Sequence, residues 1–468
     1  MYAKTQADIL VASLTCDEHI EKANFRPYVP EDLRAMNLAA LAVVDYVVID
    51  REATPLRSLE KIKPDYYAKG YEYMDGGIHP KTLQEIEVLE KYGGEILFTP
   101  GDVVFSSSAL IEQGPPNILL EKLTTLMHGE GITFDDLRST LDKMATLKVH
   151  VVGDTIVDSY TRCSLIGGGT KTPTLSVRYE EKENFVGGAG IVSKHLRAAG
   201  AEVDYTTVLG DDEYADFVLD DLAAAGVKCD AVTDPNRPTT NKNAVVADGY
   251  RLLKIDTLDN RAISEKIVNN IAQRVRSVAT DIVVFSDFRH GVFNQKTVPI
   301  FTNAIPEGTF RVADSQVASR WGNILDFQGF DLITPNEHEA RFSLGDQDSV
   351  VQMLAHELFQ QAHCRTLILK MGERGHLTYR SRRPGDPRTI VSLDSIADRM
   401  VDSVGAGDAL LAYAALAYKV MDNDVIATIL GGIAGGIECE CDGNLPVTPD
   451  AVREKIDYLE ESSQFSFG

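Results

Sequence analysis

The strongest constraint on the fold is an alternation of apolar, strand-like segments with amphipathic, helix-like segments. It begins at "KVHVVGDTIVDSY" (residues 148–160) and continues to the end of the chain. Such alternation is typical of a mainly parallel sheet covered by helices, which is the α/β class. The length of this region fits one large domain better than two small ones. We therefore expect one large α/β domain over residues 148–468.

The first part of the chain predicts a second, smaller α/β domain. Within residues 1–112, "ADILVASLT" and "VVDYVVI" are strand-like, whereas "PEDLRAMNLAALAV" is helix-like. Residues 113–147 contain a Pro-Pro break and two short helical patterns without a strand, and they predict a helical connector. A chain of 468 residues with 44% hydrophobic content can bury more than one core, which agrees with this division.

Charge and cysteine content exclude several classes of partner. The chain has 46 Lys and Arg against 70 Asp and Glu, a net charge of -24 that argues against binding to nucleic acid or to an anionic membrane. A phosphorylated ligand would need a local positive pocket. The six cysteines form no disulfide framework, and Cys439 and Cys441 are weak evidence for a metal. With no apolar run of membrane-spanning length and no signal-peptide pattern, we expect a cytoplasmic protein.

The stretch "DSVGAGDALLAYAALAY" (residues 402–418) places a Gly-Ala-Gly turn and an aspartate at the start of an apolar helix. Gly405 and Gly407 allow a ligand to approach the backbone, and the free N–H groups of a first helical turn attract anions. Asp408 would repel a phosphate unless its task is to accept a proton from a hydroxyl that attacks that phosphate. The alternative is an aspartate that only favours the helix dipole.

Further stretches predict parts of the same site. "ITPNEHEA" (residues 333–340) ends a strand and sets Asn336 and Glu339 three residues apart at the start of a helix. "KMGERGHLTY" (residues 370–379) follows an apolar strand and places glycines in a turn. A glycine-rich loop within residues 184–227 leads into a helix, a strand and a Gly-Asp-Asp turn. The order of these signals along the chain is more specific than any one of them.

Residues from about 148 to 460 resemble PfkB-type, ribokinase-like sugar kinases. The resemblance is greatest to the D-glycero-D-manno-heptose 7-phosphate kinase domains of bifunctional ADP-heptose synthases. It rests on "VVGDTIVDSY", "VGGAGIVSKHLRAAGAEV", "RPTTNKNAVVADGYRLLKID", "VVFSDFRHGVF", "LITPNEHEA", "LILKMGERG" and "VDSVGAGDALLAYAALA". It implies an α/β/α sandwich with a small β lid from roughly 160–186 and 238–256. It also implies ATP and Mg²⁺ as cofactors and a homodimer formed through the lid.

The resemblance also implies roles for individual residues. Asp408 matches the catalytic base. The residues that match the anion hole for the transferred phosphoryl group are Gly405, Ala406 and Gly407. Those that match the positions near ATP and magnesium, without direct protein ligation of the metal, are Asn336, Glu339, Lys370, Gly372 and Gly375. Those that match the substrate-binding positions are Asp154, Asp158, Gly187, Gly188 and Asp287.

The sequence departs from the heptose kinases at three substrate positions. Ile191 stands where the family usually has an asparagine that bonds the sugar. His290 and Gln316 stand where the heptose members tend to carry lysines, so binding of a substrate's own phosphate is weakened at these positions. The preferred acceptor is the anomeric hydroxyl of heptose 7-phosphate, giving the 1,7-bisphosphate. The alternatives are a PfkB kinase for another sugar, including an unphosphorylated one, and a non-catalytic sugar or nucleotide sensor.

The first part of the chain resembles the later part of a cytidylyltransferase-like nucleotidyltransferase, the partner domain of the same bifunctional enzymes. The matching stretches are "ADILVASLTCDEHIEKANFRPYVPEDLRAMNLAALAVVDYVVI", "IKPDYYAKGYEY", "YGGEILF" and "FSSSALI". We expect a Rossmann-like α/β domain that lacks its first strand. The His-x-Gly-His motif of that family does not occur in this segment, so nucleotidyl transfer is not expected. Lys69 and Ser107 match positions that contact nucleotide in an intact domain.

Overall fold

The computed structural model describes residues 2–20, 29–70, 80–99, 118–168, 175–316, 323–382, 388–401, 403–441 and 443–464. The chain forms two compact units, Met1–Pro116 and Asn117–Gly468. Among the described residues, no helix combines the length and the apolar character that a bilayer crossing requires.

The first unit contains two pairs of parallel strands with helices between them. Its strands are β1 (Val11–Thr15), β2 (Tyr46–Asp50), β3 (Tyr66–Gly70) and β4 (Glu95–Thr99), with β1 paired to β2 and β3 to β4. Its helices are α1 (Tyr2–Thr5), α2 (Glu31–Ala39), α3 (Leu56–Ile62) and α4 (Pro80–Glu90). A small apolar cluster of Leu59, Val88 and Leu89 packs α3 against α4.

Of the two nucleotide-contact candidates in this unit, the structure describes one. Lys69 lies at the end of β3, where it forms a buried ion pair with Glu85 and donates a hydrogen bond of 3.2 Å to the Thr82 hydroxyl. Its charge is therefore compensated within the unit. Ser107 lies outside the described residues.

A nine-stranded sheet forms the centre of the second unit. Its strands are β5 (Lys148–Gly153), β8 (Glu202–Leu209), β9 (Lys228–Thr233), β12 (Ile282–Asp287), β13 (Phe310–Ser315), β14 (Leu332–Ile333), β15 (Thr366–Lys370), β16 (His376–Arg380) and β17 (Ile390–Leu393). Their order across the sheet is β17-β16-β15-β14-β13-β12-β5-β8-β9. The seven neighbouring strands from β15 across the sheet to β9 are parallel to one another. At the other edge, β16 pairs antiparallel with β15, and β17 pairs antiparallel with β16.

Helices cover both faces of this sheet. They are α5 (Ile118–Glu130), α6 (Phe134–Met144), α7 (Ala189–Ala198), α8 (Glu213–Ala224), α9 (Glu265–Ser277), α10 (Thr297–Ala304), α11 (Glu337–Leu344), α12 (Val351–Ala362), α13 (Ala406–Met421), α14 (Asp424–Cys439) and α15 (Pro449–Gln464). Helices α5 to α8 and α13 to α15 contribute to one apolar core, and α9 to α12 contribute to the other. The predicted α/β/α sandwich is confirmed.

The strands themselves show why two cores form. In β12, Ile282 and Val284 belong to one core, whereas Val283 and Phe285 belong to the other. All four are fully buried, because successive side chains of a strand point to opposite faces and both faces of this sheet are covered. Continuous apolar strands are the sequence signature of such a sheet, and this explains why the alternation of segments predicts the layers so well.

The segment predicted as a helical connector forms α5 and α6. Thr133 and Asp136 make a capping box that starts α6, and Leu137 and Leu141 of that helix are buried in the first of the two cores. Glu130 at the end of α5 pairs with the fully buried Arg380 of β16 at 2.9 Å, and Arg380 also pairs with Asp424 at 2.8 Å. These contacts place both helices within the second unit.

A separate four-stranded sheet forms the predicted lid. Its strands are β6 (Thr155–Gly168), β7 (Leu175–Gly188), β10 (Asn241–Ala247) and β11 (Tyr250–Thr257), in the order β11-β10-β6-β7. Strand β10 pairs parallel with β6, and the two outer pairs are antiparallel. Strand β6 begins directly after β5 of the large sheet, which places the lid beside the carboxyl ends of the parallel strands.

Candidate active site

A cleft of about 450 Å³ lies where the lid meets the carboxyl ends of the parallel strands. Its walls come from the lid, from the ends of β13 and β15, from the start of α13 and from one face of α14. Ligands of open α/β sheets bind at this edge because loops and helix N-termini converge there. The predicted residues that line the cleft are Asp158, Gly188, Asn336, Glu339, Lys370, Gly372, Gly405, Ala406, Gly407 and Asp408.

The start of α13 forms an exposed backbone corner. Gly405 has a left-handed φ of 85°, and a Cβ there would lie 2.3 Å from Asn444 Oδ1. The N–H groups of Asp408 and Ala409 both donate to the Gly405 carbonyl at 2.9 Å. The amides of residues 406 and 407 precede them in the first turn, whose N–H groups lack acceptors within a helix. This corner is therefore suited to hold an anion.

Asp408 is 8% exposed and points into the cleft beside this corner. Burial raises the pKa of the Asp408 carboxyl well above its ordinary value, and the negative charge of Asp314 adds to the shift. The Lys370 ammonium opposes it. A buried carboxylate with raised proton affinity is the kind of group that can accept a proton from an attacking hydroxyl.

Lys370 is the cation closest to this corner. It ends β15, and its Nζ lies 3.0 Å from Asp314 Oδ1, which also accepts a hydrogen bond of 3.0 Å from the Thr334 hydroxyl. Burial works to lower the pKa of Lys370, but the carboxylates of Asp314, Glu339 and Asp408 raise it above its ordinary value. Lys370 therefore stays charged. Its ammonium interacts favourably with the three acidic groups that surround it.

Asn336 and Glu339 form a capping box at the start of α11. The Asn336 side chain accepts the Glu339 N–H at 2.8 Å, and the Glu339 carboxylate accepts the Asn336 N–H at 2.7 Å. Burial raises the pKa of Glu339 to about 7, against the influence of Lys370. The oxygens of Asn336, Glu339 and Asp314 are of the kind that Mg²⁺ and its waters prefer. Within the described ranges, no three acidic, His or Cys side chains cluster closely enough to hold a metal directly.

On the lid side, Asp158 and Gly188 line the cleft. Burial raises the pKa of Asp158, and the nearby ammonium groups of Lys242 and Lys254 oppose this shift. Gly187 lies directly behind Asp158, because a Cβ at this glycine would lie 2.2 Å from Asp158 Oδ2. The absence of a side chain at Gly187 therefore leaves room for the Asp158 carboxylate. Gly187 itself is not part of the cleft lining.

Asp154 and Asp287 do not appear in the cleft lining either. Asp154 accepts backbone N–H groups from Phe288, His290 and Val292 at 3.0 to 3.2 Å, so both its oxygens are used inside the protein. Asp287 is fully buried, accepts a hydrogen bond from the Ser315 hydroxyl at 2.9 Å and forms an ion pair with Arg289 at 2.8 Å. Both aspartates shape the loop that follows β12.

Gly375 is the fourth predicted residue outside the lining. It is buried with φ +80°, and a Cβ would lie 2.1 Å from the Leu393 carbonyl oxygen. Only glycine fits a backbone position of this kind. Gly375 thus lets the start of β16 lie close to the end of β17, whereas Gly372 of the same turn lines the cleft.

The structure adds cleft residues that the sequence did not single out. The polar ones among them include Asp314, Lys242, Lys254, His376 and Asn444. Asp314 could have been found as a carboxylate at the end of a parallel strand. The two lysines lie in the quoted stretch "RPTTNKNAVVADGYRLLKID", but only the strand register shows that their side chains share a face.

The three departures from the heptose kinases occupy different environments. Ile191 is fully buried in α7 and offers no side-chain hydrogen bond. His290 lies 2.9 Å from Asn260 Oδ1 through its Nδ1 atom, and burial lowers its pKa to about 4, so it is uncharged at neutral pH. Gln316 lines the cleft but carries no charge.

A backbone anion site, a buried aspartate beside it and a β lid over the edge of a parallel sheet define the class of small-molecule kinases of the ribokinase-like fold. The family comparison agrees, because residues 146–428 match the model described as pfkB family carbohydrate kinase. This match covers more than half of the chain. The chain therefore belongs to the PfkB family of carbohydrate kinases, a family of phosphotransferases.

The chain is also similar to curated bifunctional proteins named HldE. The bifunctional protein HldE of Bradyrhizobium sp. (strain ORS 278) is 26% identical over 333 residues, which covers 69% of this chain and 65% of that protein. The bifunctional protein HldE of Geobacter metallireducens is 28% identical over 324 residues, covering 67% of this chain and 64% of that protein. The chain thus matches somewhat less than two thirds of the length of these relatives.

Solved structures support the fold. Phosphofructokinase-2 from Escherichia coli, in a complex with potassium, has a TM-score of 0.56 at 16% identity and covers 67% of this chain and 100% of its own. Ribokinase from Arabidopsis thaliana, complexed with ribose and ATP, has a TM-score of 0.52 at 16% identity and covers 66% of this chain and 99% of its own.

Proposed function

We propose that this chain transfers the γ-phosphoryl group of ATP to the anomeric hydroxyl of D-glycero-D-manno-heptose 7-phosphate, giving the 1,7-bisphosphate. The observation that carries the proposal is the buried carboxylate of Asp408 beside the backbone corner of residues 405–407. The resemblance to HldE proteins supports the choice of heptose. The cleft of about 450 Å³ is of the size that binds small molecules.

The residues of the corner have distinct tasks in this proposal. Asp408 accepts the proton of the acceptor hydroxyl as that oxygen attacks phosphorus. The amides of Gly405, Ala406 and Gly407 stabilise the charge of the transferred group. Lys370 compensates the surrounding carboxylates. MgATP, when bound, supplies the phosphoryl group and the cation that offsets its charge.

The remaining predicted residues fit around this centre. Asn336 and Glu339 lie where they can orient magnesium-bound water, and Gly372 lies where the nucleotide can approach the backbone. Asp158 and Gly188 are placed to contact sugar hydroxyls from the lid. We assign Asp154, Gly187, Asp287 and Gly375 to shaping the loops around the cleft rather than to direct ligand contact.

A substrate panel tests this function directly. With ATP and Mg²⁺ present, we expect turnover of heptose 7-phosphate with a specificity constant at least about tenfold above those for fructose 6-phosphate, ribose and mannose. ADP release measured by a coupled assay, with the product checked by ³¹P NMR, gives both the rate and the position phosphorylated. Turnover of another sugar but of no heptose phosphate would refute the substrate assignment.

A kinase for a different sugar, for example an unphosphorylated one, is the second candidate. The buried Ile191 favours it, because no side-chain hydrogen bond to the sugar is possible at this position. The uncharged His290 and Gln316 favour it as well, because they stand where lysines would bind a substrate's own phosphate. The same panel separates the two candidates by which acceptor is turned over. A non-catalytic sensor would release no ADP with any sugar. The intact Gly-Ala-Gly-Asp corner argues against this third candidate.

We also propose that the chain forms a homodimer through the lid. Apolar side chains of the lid strands are largely exposed: Leu165, Ile166, Leu175, Tyr179, Leu253 and Ile255. Exposed apolar side chains concentrated in one part of a protein commonly mark an interaction surface. Light scattering should give about twice the chain mass of 51.3 kDa, and a single-chain mass at micromolar concentration would contradict the dimer.

A further inference from the structure

The loop that follows β12 contains a residue with an unfavourable backbone conformation. Arg289 has a φ of 60°, in the left-handed region that residues other than glycine seldom adopt. It is also buried, with 7% of its surface exposed, although an arginine is seldom buried unless its charge is paired. Such a residue persists only where the surrounding contacts hold it, and strain of this kind is commonest at functional sites. The contacts of Arg289 therefore indicate what the strain achieves.

The guanidinium of Arg289 connects two separate segments of the chain. Its Nε lies 2.8 Å from Asp287 Oδ2, at the end of β12. Its Nη2 donates to the Ser315 hydroxyl at 3.2 Å, at the end of β13. The same Nη2 donates to the Asn323 carbonyl at 3.3 Å and lies 3.1 Å from Asp326 Oδ2, and both of these residues follow β13. The loop after β12 is thus attached to the segment after β13 at several points.

Backbone hydrogen bonds extend this attachment to the cleft. The Arg289 N–H donates to Asp287 Oδ1 at 2.8 Å, and the Gln316 N–H donates to the Asp287 carbonyl at 2.9 Å. The N–H of Phe288 donates to Asp154 Oδ2 at 3.0 Å. Phe288 and Gln316 both line the cleft, whereas Arg289 does not. Arg289 therefore lies behind the cleft wall and acts on the residues that form it.

Phe288 lies on the lid side of the cleft, because its partner Asp154 directly precedes the lid strand β6. An aromatic ring can pack against the apolar face of a sugar, and an amide such as that of Gln316 can bond a sugar hydroxyl. We propose that Arg289 is a positioning residue for the acceptor sugar, because it fixes Phe288 and Gln316 in the part of the cleft wall that the sugar contacts. This inference rests on the proposed function for placing the acceptor on the lid side, but not for the identity of the sugar.

A purely structural role is the alternative, and Arg380 shows what such a role looks like. Arg380 is also buried, and it pairs with Glu130 at 2.9 Å and with Asp424 at 2.8 Å. None of these three residues is among those that line the cleft. Loss of the Arg380 guanidinium should therefore lower stability without a specific effect on sugar binding. Arg380→Met is the matched control.

The test variant combines Arg289→Gly with Asp287→Asn. Glycine accepts a positive φ without strain, and asparagine avoids leaving a buried carboxylate without its cation. Calorimetric titration with heptose 7-phosphate, fructose 6-phosphate and ribose gives Kd without depending on turnover. For the sugar that the wild type binds most tightly, we expect Kd to rise about tenfold or more, since small displacements of positioning groups are costly. The Kd for ATP should change less than about threefold.

Kinetics and hydrogen exchange give two further measurements on the same variant. KM for the sugar substrate should rise while kcat stays nearly unchanged, because Asp408 and its backbone corner are not altered. Amide exchange in residues 288–292 and 323–326 should become at least about tenfold faster, because the two segments are no longer joined. Asp326→Asn loosens only the far end of the attachment, and it should raise the Kd of the same sugar by a smaller factor with Arg289 and Asp287 intact.

The outcomes separate this inference from the proposed function. If another sugar replaces heptose 7-phosphate as the substrate and its Kd depends on Arg289, the heptose assignment fails and the Arg289 inference stands. If heptose 7-phosphate is turned over and its Kd is the same in the wild type and in both Arg289-loop variants, the inference is overturned. Faster exchange without a change in the Kd of any sugar would overturn it as well. So would an equal loss of ATP affinity, or an equal effect of Arg380→Met on sugar binding.

Discussion

Replacing Asp408 with asparagine should lower kcat by about 10² to 10⁴-fold, the range found for removal of a general base. Asparagine keeps the shape of the side chain but cannot accept the proton of the attacking hydroxyl. The Kd for ATP should change by less than about threefold, because the amides of residues 405–407 remain in place. Steady-state kinetics and nucleotide titration measure the two quantities separately.

Two controls keep this result specific. Asp422→Asn changes a largely exposed aspartate at the other end of α13 and should leave kcat unchanged. In the wild type, burial raises the pKa of Asp408. As the pH is lowered, activity should therefore begin to fall at a pH higher than the pKa of an exposed aspartate. An Asp408→Asn enzyme that retains its activity within a few-fold would show that another group accepts the proton.

Replacing Lys370 with methionine should lower the free energy of unfolding by about 3 to 5 kcal/mol at neutral pH, the cost of removing one partner of a buried ion pair. Asp314, Glu339 and Asp408 would be left near one another without their common cation. The pKa values of Glu339 and Asp408 in the folded protein would rise further, so the folded state would bind protons that the unfolded state does not. The loss of stability should therefore shrink as the pH falls from 7 towards 5.

Urea unfolding at the two pH values measures this prediction. The double variant Lys370→Met with Asp314→Asn should be less destabilised than Lys370→Met alone, because the uncompensated charge of Asp314 is removed. A cost below about 1 kcal/mol for the single variant, or a cost that does not depend on pH, would show that Lys370 does not hold the three carboxylates together.

The sequence was most informative where function depends on neighbouring residues along the chain. Gly405, Ala406, Gly407 and Asp408 form one helix start, and their spacing alone predicts both the open backbone and the adjacent carboxylate. The capping box of Asn336 and Glu339 is a similar local feature, three residues apart and readable as a helix start.

The sequence was less informative where position depends on pairing between distant segments. Asp154 matches a sugar-binding motif, but its carboxylate is used by three amides of a loop more than a hundred residues later. Lys242 and Lys254 become neighbours only through the register of β10 and β11, which periodicity does not specify. Asp314 forms an ion pair with Lys370 at the end of β15 and accepts a hydrogen bond from Thr334, which follows β14. These contacts depend on the order of the strands in the sheet.

The fold followed from the sequence for a related reason. The strands of a parallel sheet buried on both faces are apolar throughout, so β5, β12 and β15 could be recognised individually. The lid strands are half exposed and carry charges on the face towards the cleft, so their general location could be predicted but not their order.

The most direct test of the central claim is a crystal structure of the Asp408→Asn protein with ATP, Mg²⁺ and heptose 7-phosphate. The proposed function predicts the γ-phosphate at the amides of residues 405–407. It also predicts the anomeric oxygen within hydrogen-bonding distance of the side chain at position 408. A γ-phosphate bound elsewhere in the cleft, or an anomeric oxygen pointing away from position 408, would contradict it.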